Sequence, residues 1–137
     1  MNYTPFVMAA LLGLAAVAIN ACVSHRKAND DTIPTLQPKA FIERARADKR
    51  AVLMDVRTPD EYAAGHLKGA RQLNYLDSAA FHQGVALLDK SHTYYIYCRS
   101  GKRSHAACLV MKRHGLRVVD MEGGYLNWTA QGMDVEK

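Results

Sequence analysis

The chain has 137 residues, 49% of them hydrophobic, which suffices for one domain with a real apolar core and does not call for a second. Its 18 lysines and arginines against 13 acids give a formal charge of +5, but the cations form no tract and no aromatic residues interleave with them, so a small anion suits this chain better than nucleic acid. Three cysteines, Cys22, Cys98 and Cys108, show neither CxxC nor Cys/His ligand spacing, which argues against both a disulfide scaffold and a metal site.

The first element is the uncharged run "PFVMAALLGLAAVAI", residues 5–19, followed by "NACVSHRK". Its length suits the apolar region of a signal peptide better than a full membrane span, so residues 1–22 are expected to be a signal peptide or membrane anchor. "INAC" resembles the cleavage site of a bacterial lipoprotein, with Cys22 as the residue that would carry lipid. The expected location is then a bacterial cell envelope, the protein being exported and held at the membrane through its N-terminus. The alternative is an uncleaved anchor with a cytoplasmic domain, because His25, Arg26 and Lys27 follow the apolar run. The polar, proline-containing residues 23–34 read as a linker and residues 35–137 as the domain.

Within the domain, "PKAFIERARADK" (38–49) predicts a helix and "AVLMDV" (51–56) a strand. In "TPDEYAAG", Thr58 is a good N-cap, Pro59 fits the first helical position, Glu61 completes a capping box and Gly65 suits the exit. A looser helix follows at 78–88, then the strand "YYIYC" (94–98), a helix starting just past Cys98 and ended by Gly115, the strand "LRVVDM" (116–121) and a last helix at 123–132. Strands alternating with helices indicate an α/β domain with a mainly parallel sheet.

Cys98 leaves the carboxyl end of a strand and faces the start of a helix, where open α/β sheets place their ligands. A thiol attacks as thiolate, and an ordinary cysteine with pKa near ~8.5 is mostly protonated at neutral pH. Turn amides, the positive end of the following helix, and Arg99, Lys102 and Arg103 would each stabilise negative charge there. Between Lys90 and Val119 seven cations stand with no acid among them. Cys108 lies mid-helix among Ala106, Ala107, Leu109 and Val110 and reads as a small core residue.

These residues match a known pattern: "CRSGKRS" (98–104) resembles the active-site loop of rhodanese-like sulfurtransferases, "LMDVRTPDEYAAGHLKGA" (53–70) their amino-terminal signature and "EGGYLNWTAQGMDV" (122–135) their carboxyl-terminal one. The resemblance covers roughly residues 33–136 and implies a single-domain member. The fold it implies is a three-layer sandwich, a central mainly parallel sheet flanked by helices. It also implies that Cys98 takes sulfane sulfur from thiosulfate or a similar anionic donor as a persulfide and passes it to cyanide or a thiol, with no metal or organic cofactor. In that reading the backbone N–H groups of Arg99, Ser100, Gly101, Lys102, Arg103 and Ser104 cradle the anion, and the side chains of Arg99, Lys102 and Arg103 attract it. Asp55, Arg57 and Glu61 are expected to form a charge network at the helix cap, His66 to order the next turn and Trp128 to pack the last helix. His105 is assigned no role. The chain departs from the family pattern at "RQLNY" after "GHLKGA", and at Asp134.

Two other functions compete. Phosphatases and arsenate reductases on the same fold use a longer loop, whereas Cys98 and Arg103 enclose only four residues, which disfavours phosphate chemistry. A sulfur-relay module, carrying persulfide for a protein partner, would use the same loop.

Overall fold

The computed structural model describes residues 30–137, so the apolar segment 1–22, Cys22 and most of the expected linker lie outside the described residues. Ten elements follow in chain order. They are β1 (Thr35–Leu36), α1 (Pro38–Ala47), β2 (Ala51–Asp55), α2 (Pro59–Ala64), β3 (Arg71–Gln72), α3 (Ser78–Ala86), β4 (Thr93–Tyr97), α4 (Lys102–Arg113), β5 (Arg117–Met121) and α5 (Gly124–Ala130).

The strands form one five-stranded sheet in the order β1-β5-β4-β2-β3, with every pairing parallel. Period-two alternation sends successive side chains of β4 to opposite faces. Tyr94, Ile96 and the following Cys98 enter one core with Met54, Phe81, Ala107 and Met111, while Tyr95 and Tyr97 enter the other with Phe41, Val119 and Trp128. Helices α3 and α4 therefore cover one face, α1 and α5 the other, which gives the three layers. Because all strands run the same way, the segments leaving β2, β4 and β5 gather at one edge of the sheet.

The predicted strands at 51–56, 94–98 and 116–121 correspond to β2, β4 and β5. The helices are shorter than expected at several ends. The first stops at Ala47, where Asp48 turns extended and its N–H bonds to Ala45 O. The third stops at Ala86, where the Leu87 N–H caps Gly84 O. Two edge strands of two residues each, β1 and β3, went unanticipated. The linker also ends sooner than expected: Ile33 is buried in the core and Pro34 O accepts the Asp120 N–H at 2.8 Å, so residues 33–34 already belong to the domain. Among the described residues no helix is long and apolar enough to cross a membrane.

Candidate active site

Strand β4 delivers Cys98 to the sheet edge, and residues 98–101 turn the chain into α4. Gly101 makes the turn possible: at φ +98° it occupies a left-handed region closed to most side chains, and its N–H points back at Cys98 Sγ, 3.2 Å away. The carbonyl of Gly101 accepts the His105 N–H at 3.1 Å and the Ser104 hydroxyl at 3.2 Å. The amides of Lys102, Arg103 and Ser104 open the helix, where N–H groups have no intrahelical acceptor.

The loop's own carbonyls are held from behind. Tyr125 N–H donates to Cys98 O at 2.8 Å and Leu126 N–H to Arg99 O at 3.0 Å, so the start of α5 fixes the peptide units around the cysteine. This approach requires Gly124. It has φ +61°, and a Cβ there would stand 2.5 Å from Cys98 O and 2.6 Å from Arg99 O.

The side chains expected to act together divide into two pairs. Asp55 and Arg57 form a buried ion pair at 2.6 Å, with Arg57 also donating to Gly65 O at 2.7 Å and lying 4.2 Å over the Tyr125 ring. Glu61 instead caps its own helix through Thr58 and receives both guanidinium nitrogens of Arg103 at 2.8 Å. The expected single network of Asp55, Arg57 and Glu61 is thus corrected to two separate pairs. The Arg103 guanidinium holds the Glu61 carboxyl at about 2, well below the usual carboxylate range. Arg103 is thereby engaged as a brace between α4 and α2, while Arg99 and Lys102 are exposed and form no ion pair among the described residues. His66 is buried, stacked 3.7 Å from Tyr62, with Nδ1 2.9 Å from Tyr62 O. Trp128, on α5, packs into the core with Phe41 and Tyr97 and donates its indole N–H to Asp134 O at 2.9 Å.

Cys98 is 0% exposed. Two cavities flank its loop. One of about 210 Å³ is lined by Arg57, Glu61, Gly65, Arg99, Tyr125 and Leu126. The other, of about 320 Å³, includes Ser100, Gly101, His105 and Asp120. A larger cavity of about 590 Å³ lies between α1 and the end of α5 and contains none of the loop. Cys108 is fully buried in α4, and that burial pushes its thiol up, as suits an inert core residue. Among the described residues no three His, Cys, Asp or Glu side chains gather as a metal ion would need.

Three further residues take part in the site beyond those expected from the sequence. Gly124 lets α5 approach the loop and the Tyr125 N–H holds the Cys98 carbonyl, and the adjacent glycines of "EGGY" were the available signal. Asp120, the one acid in β5, is 2% exposed beside α4.

Comparison with known proteins points the same way. The Rhodanese-like domain family matches residues 38–131. The chain is 31% identical over 99 residues to the putative sulfurtransferase YtwF of Bacillus subtilis, covering 72% of this chain and 93% of that protein. It is 30% identical over 101 residues to a sulfurtransferase of Allochromatium vinosum, covering 73% and 92%. It is 28% identical over 108 residues to the putative sulfur carrier protein YrkF of Bacillus subtilis, covering 78% of this chain but only 57% of that longer relative. The fold matches a rhodanese-related protein of Thermoplasma volcanium with a TM-score of 0.66 at 24% identity, over 75% of this chain and 97% of that one.

Proposed function

Because the chain belongs to the rhodanese-like family, we propose that it is a sulfurtransferase in which Cys98 carries sulfane sulfur as a persulfide, with thiosulfate or a similar anion as donor. The Cys98 thiolate attacks the outer sulfur of thiosulfate, the S–S bond of the donor breaks, and sulfite leaves with the bonding electron pair. A cyanide ion or thiolate acceptor then attacks the outer sulfur of Cys98–S–S⁻, and the Cys98 thiolate departs with the electrons of that bond. Splitting the transfer into two displacements is what a covalent intermediate contributes.

The observation that carries this reading is the Gly101 N–H aimed at Cys98 Sγ from a loop whose carbonyls are tied back to α5. Preorganised donors of this kind stabilise negative charge on thiolate and persulfide alike. Arg99 and Lys102 would draw the dianionic donor; Arg103 would serve by holding the loop on Glu61. The test is thiocyanate formation from thiosulfate and cyanide: the wild type turns over and Cys98→Ser does not. Activity in Cys98→Ser would refute the assignment.

A second reading, sulfur relay to a protein partner, is favoured by the exposed Leu126 beside Arg99 on the cavity wall, an apolar contact that a small donor does not need. It predicts persulfide exchange with a partner thiol and poor turnover with cyanide. For the N-terminus we propose export, with Cys22 as the lipid acceptor; labelling with a fatty acid that is lost in Cys22→Ala would support it, and labelling unchanged in that variant would refute it.

A further inference from the structure

A parallel sheet takes its strands in at one edge and lets them out at the other, and the edge opposite the catalytic loop has a composition of its own. Ala51, Thr93 and Arg117 pair in register at the starts of β2, β4 and β5, so the segments leading into these strands lie side by side. The Thr93 N–H donates to Arg50 O at 3.0 Å, and the Arg117 guanidinium donates to Ser91 O. Helices α1 and α4 end at the same edge, with Arg44, Arg46, Lys112 and Arg113 in their last turns.

Residues 44–50, 87–92 and 112–117, together with the first described residues 30–32, hold eight lysines and arginines against four aspartates. The rest of the described residues hold eight against nine acids, so the positive charge of the domain is concentrated here. Spread along the sequence, these cations are gathered by the fold: of the seven between Lys90 and Val119, three go to the catalytic loop and four to this edge. The four aspartates are engaged. Asp30 and Asp31 pair with Lys112 and Arg113 at 3.6 and 3.5 Å, while Asp48 accepts the Arg50 N–H and Asp89 the Ser91 N–H, both at 2.8 Å. Arg46, Lys49, Arg50 and Lys90 are exposed and form no ion pair among the described residues. Leu87, in the segment that carries Lys90, is 87% exposed, whereas its neighbour Leu88 packs on the core.

Exposed cations with an exposed leucine suit a surface that is anionic outside and apolar within. The chain also arrives at this edge: ten residues connect the apolar run 5–19 to Asp30, and they span at most roughly 35 Å. We propose that the edge formed by residues 44–50, 87–92 and 112–117 docks on a bilayer containing anionic phospholipid, its cations against the phosphates and Leu87 at the headgroup boundary. The tether in this account rests on the reading of residues 1–22 as a signal peptide or anchor; the charge and shape of the docking edge do not. A short tether raises the local concentration of lipid, so individually weak contacts suffice. Cys98 lies five residues beyond Thr93 along the strand direction, roughly 17 Å, so the docked domain turns its catalytic loop away from the membrane.

Residues 30–137 contain the whole sheet and both cores, so the domain lacking residues 1–22 is tested by itself. It is sedimented, at low and at high salt, with vesicles of phosphatidylcholine and phosphatidylglycerol in equal parts and with vesicles of phosphatidylcholine alone. Binding to the mixed vesicles only, lost as salt rises, is expected. Lys49→Gln combined with Lys90→Gln should weaken it by about tenfold or more, and Leu87→Ser should weaken it as well. Lys39→Gln combined with Arg71→Gln removes the same charge from positions nearer the catalytic edge and should change it by less than about twofold. No binding to the mixed vesicles, or equal losses in the two pairs, would overturn the proposal. Tighter binding of a DNA duplex than of the mixed vesicles would overturn it too, by making the edge a nucleic-acid surface. Vesicle binding by the domain alongside fatty-acid labelling that is unchanged in full-length Cys22→Ala would instead refute the lipidation reading and leave the docking edge standing, so the two failures are distinguishable.

Discussion

Arg103 grips Glu61 with two guanidinium nitrogens at 2.8 Å, tying the first turn of α4 to α2 across 42 residues of sequence. The carboxyl is held near 2 against an ordinary 4.5, chiefly by the Arg103 hydrogen bond. A lowered folded-state value means the stabilisation is complete above about pH 4.5 and is lost as pH falls toward about 2. In urea unfolding, Glu61→Gln should therefore be less stable than wild type by about 1–2 kcal/mol at neutral pH after solvent screening, with the gap closing below about pH 4.5. A gap that persists at pH 2 would mean the pair is not its source. The variant should also lose sulfur transfer, by up to about 100-fold, through a displaced loop.

Gly124 and Gly132 provide a matched comparison. Both have positive φ, +61° and +69°, but a Cβ on Gly124 meets the Cys98 and Arg99 carbonyls whereas one on Gly132 meets nothing within 4 Å. Gly132→Ala should cost about 1 kcal/mol in thermal or urea unfolding, the backbone contribution alone. Gly124→Ala should cost clearly more and also abolish sulfur transfer. Equal effects would show that the close approach of α5 to the loop does not matter.

Cys108→Ser separates stability from chemistry. The thiol is fully buried, so a hydroxyl in its place adds a polar group that burial leaves poorly satisfied, at about 1–3 kcal/mol. Thiosulfate turnover should stay near wild type at a temperature where the variant is folded. Loss of activity equal to that of Cys98→Ser would contradict the division of roles between the two cysteines.

Local signals were legible before the structure. Thr58, Pro59 and Glu61 mark the start of α2 through a capping box that the structure forms in full, and the aromatic run before Cys98 marks β4. The edge strands β1 and β3 were hidden because two residues are too few to show alternation, and their pairing depends on neighbours distant in sequence. Helix α3 ran past its true end on paper because Leu87 and Leu88 continue an apolar pattern that the structure leaves outside the helix. Nothing in local sequence reports that Arg103 faces Glu61, or that Asp120 is buried against α4; both follow from how the sheet brings distant segments to one edge. The loop cysteine was visible from its setting, whereas the complete burial of its sulfur was not.

The steering of the donor should depend on salt. Arg99 and Lys102 are exposed, while Arg103 is engaged by Glu61. Raising ionic strength from about 0.01 to about 1 M shortens the screening length from roughly 30 to roughly 3 Å, so the thiosulfate KM should rise. Lys102→Gln should start from a higher KM and respond less to salt. A KM indifferent to salt in the wild type would leave the loop amides as the anion site and remove the side chains from the account.

The persulfide on Cys98 is the central claim, and intact mass tests it most directly. The domain without residues 1–22 is incubated with thiosulfate, weighed, digested to locate any added mass, and weighed again after cyanide. The account predicts a gain of one sulfur atom, located on the peptide containing Cys98, which cyanide removes and Cys98→Ser never acquires. No gain on a reduced Cys98, or a sulfur that settles on Cys108 instead, would contradict it.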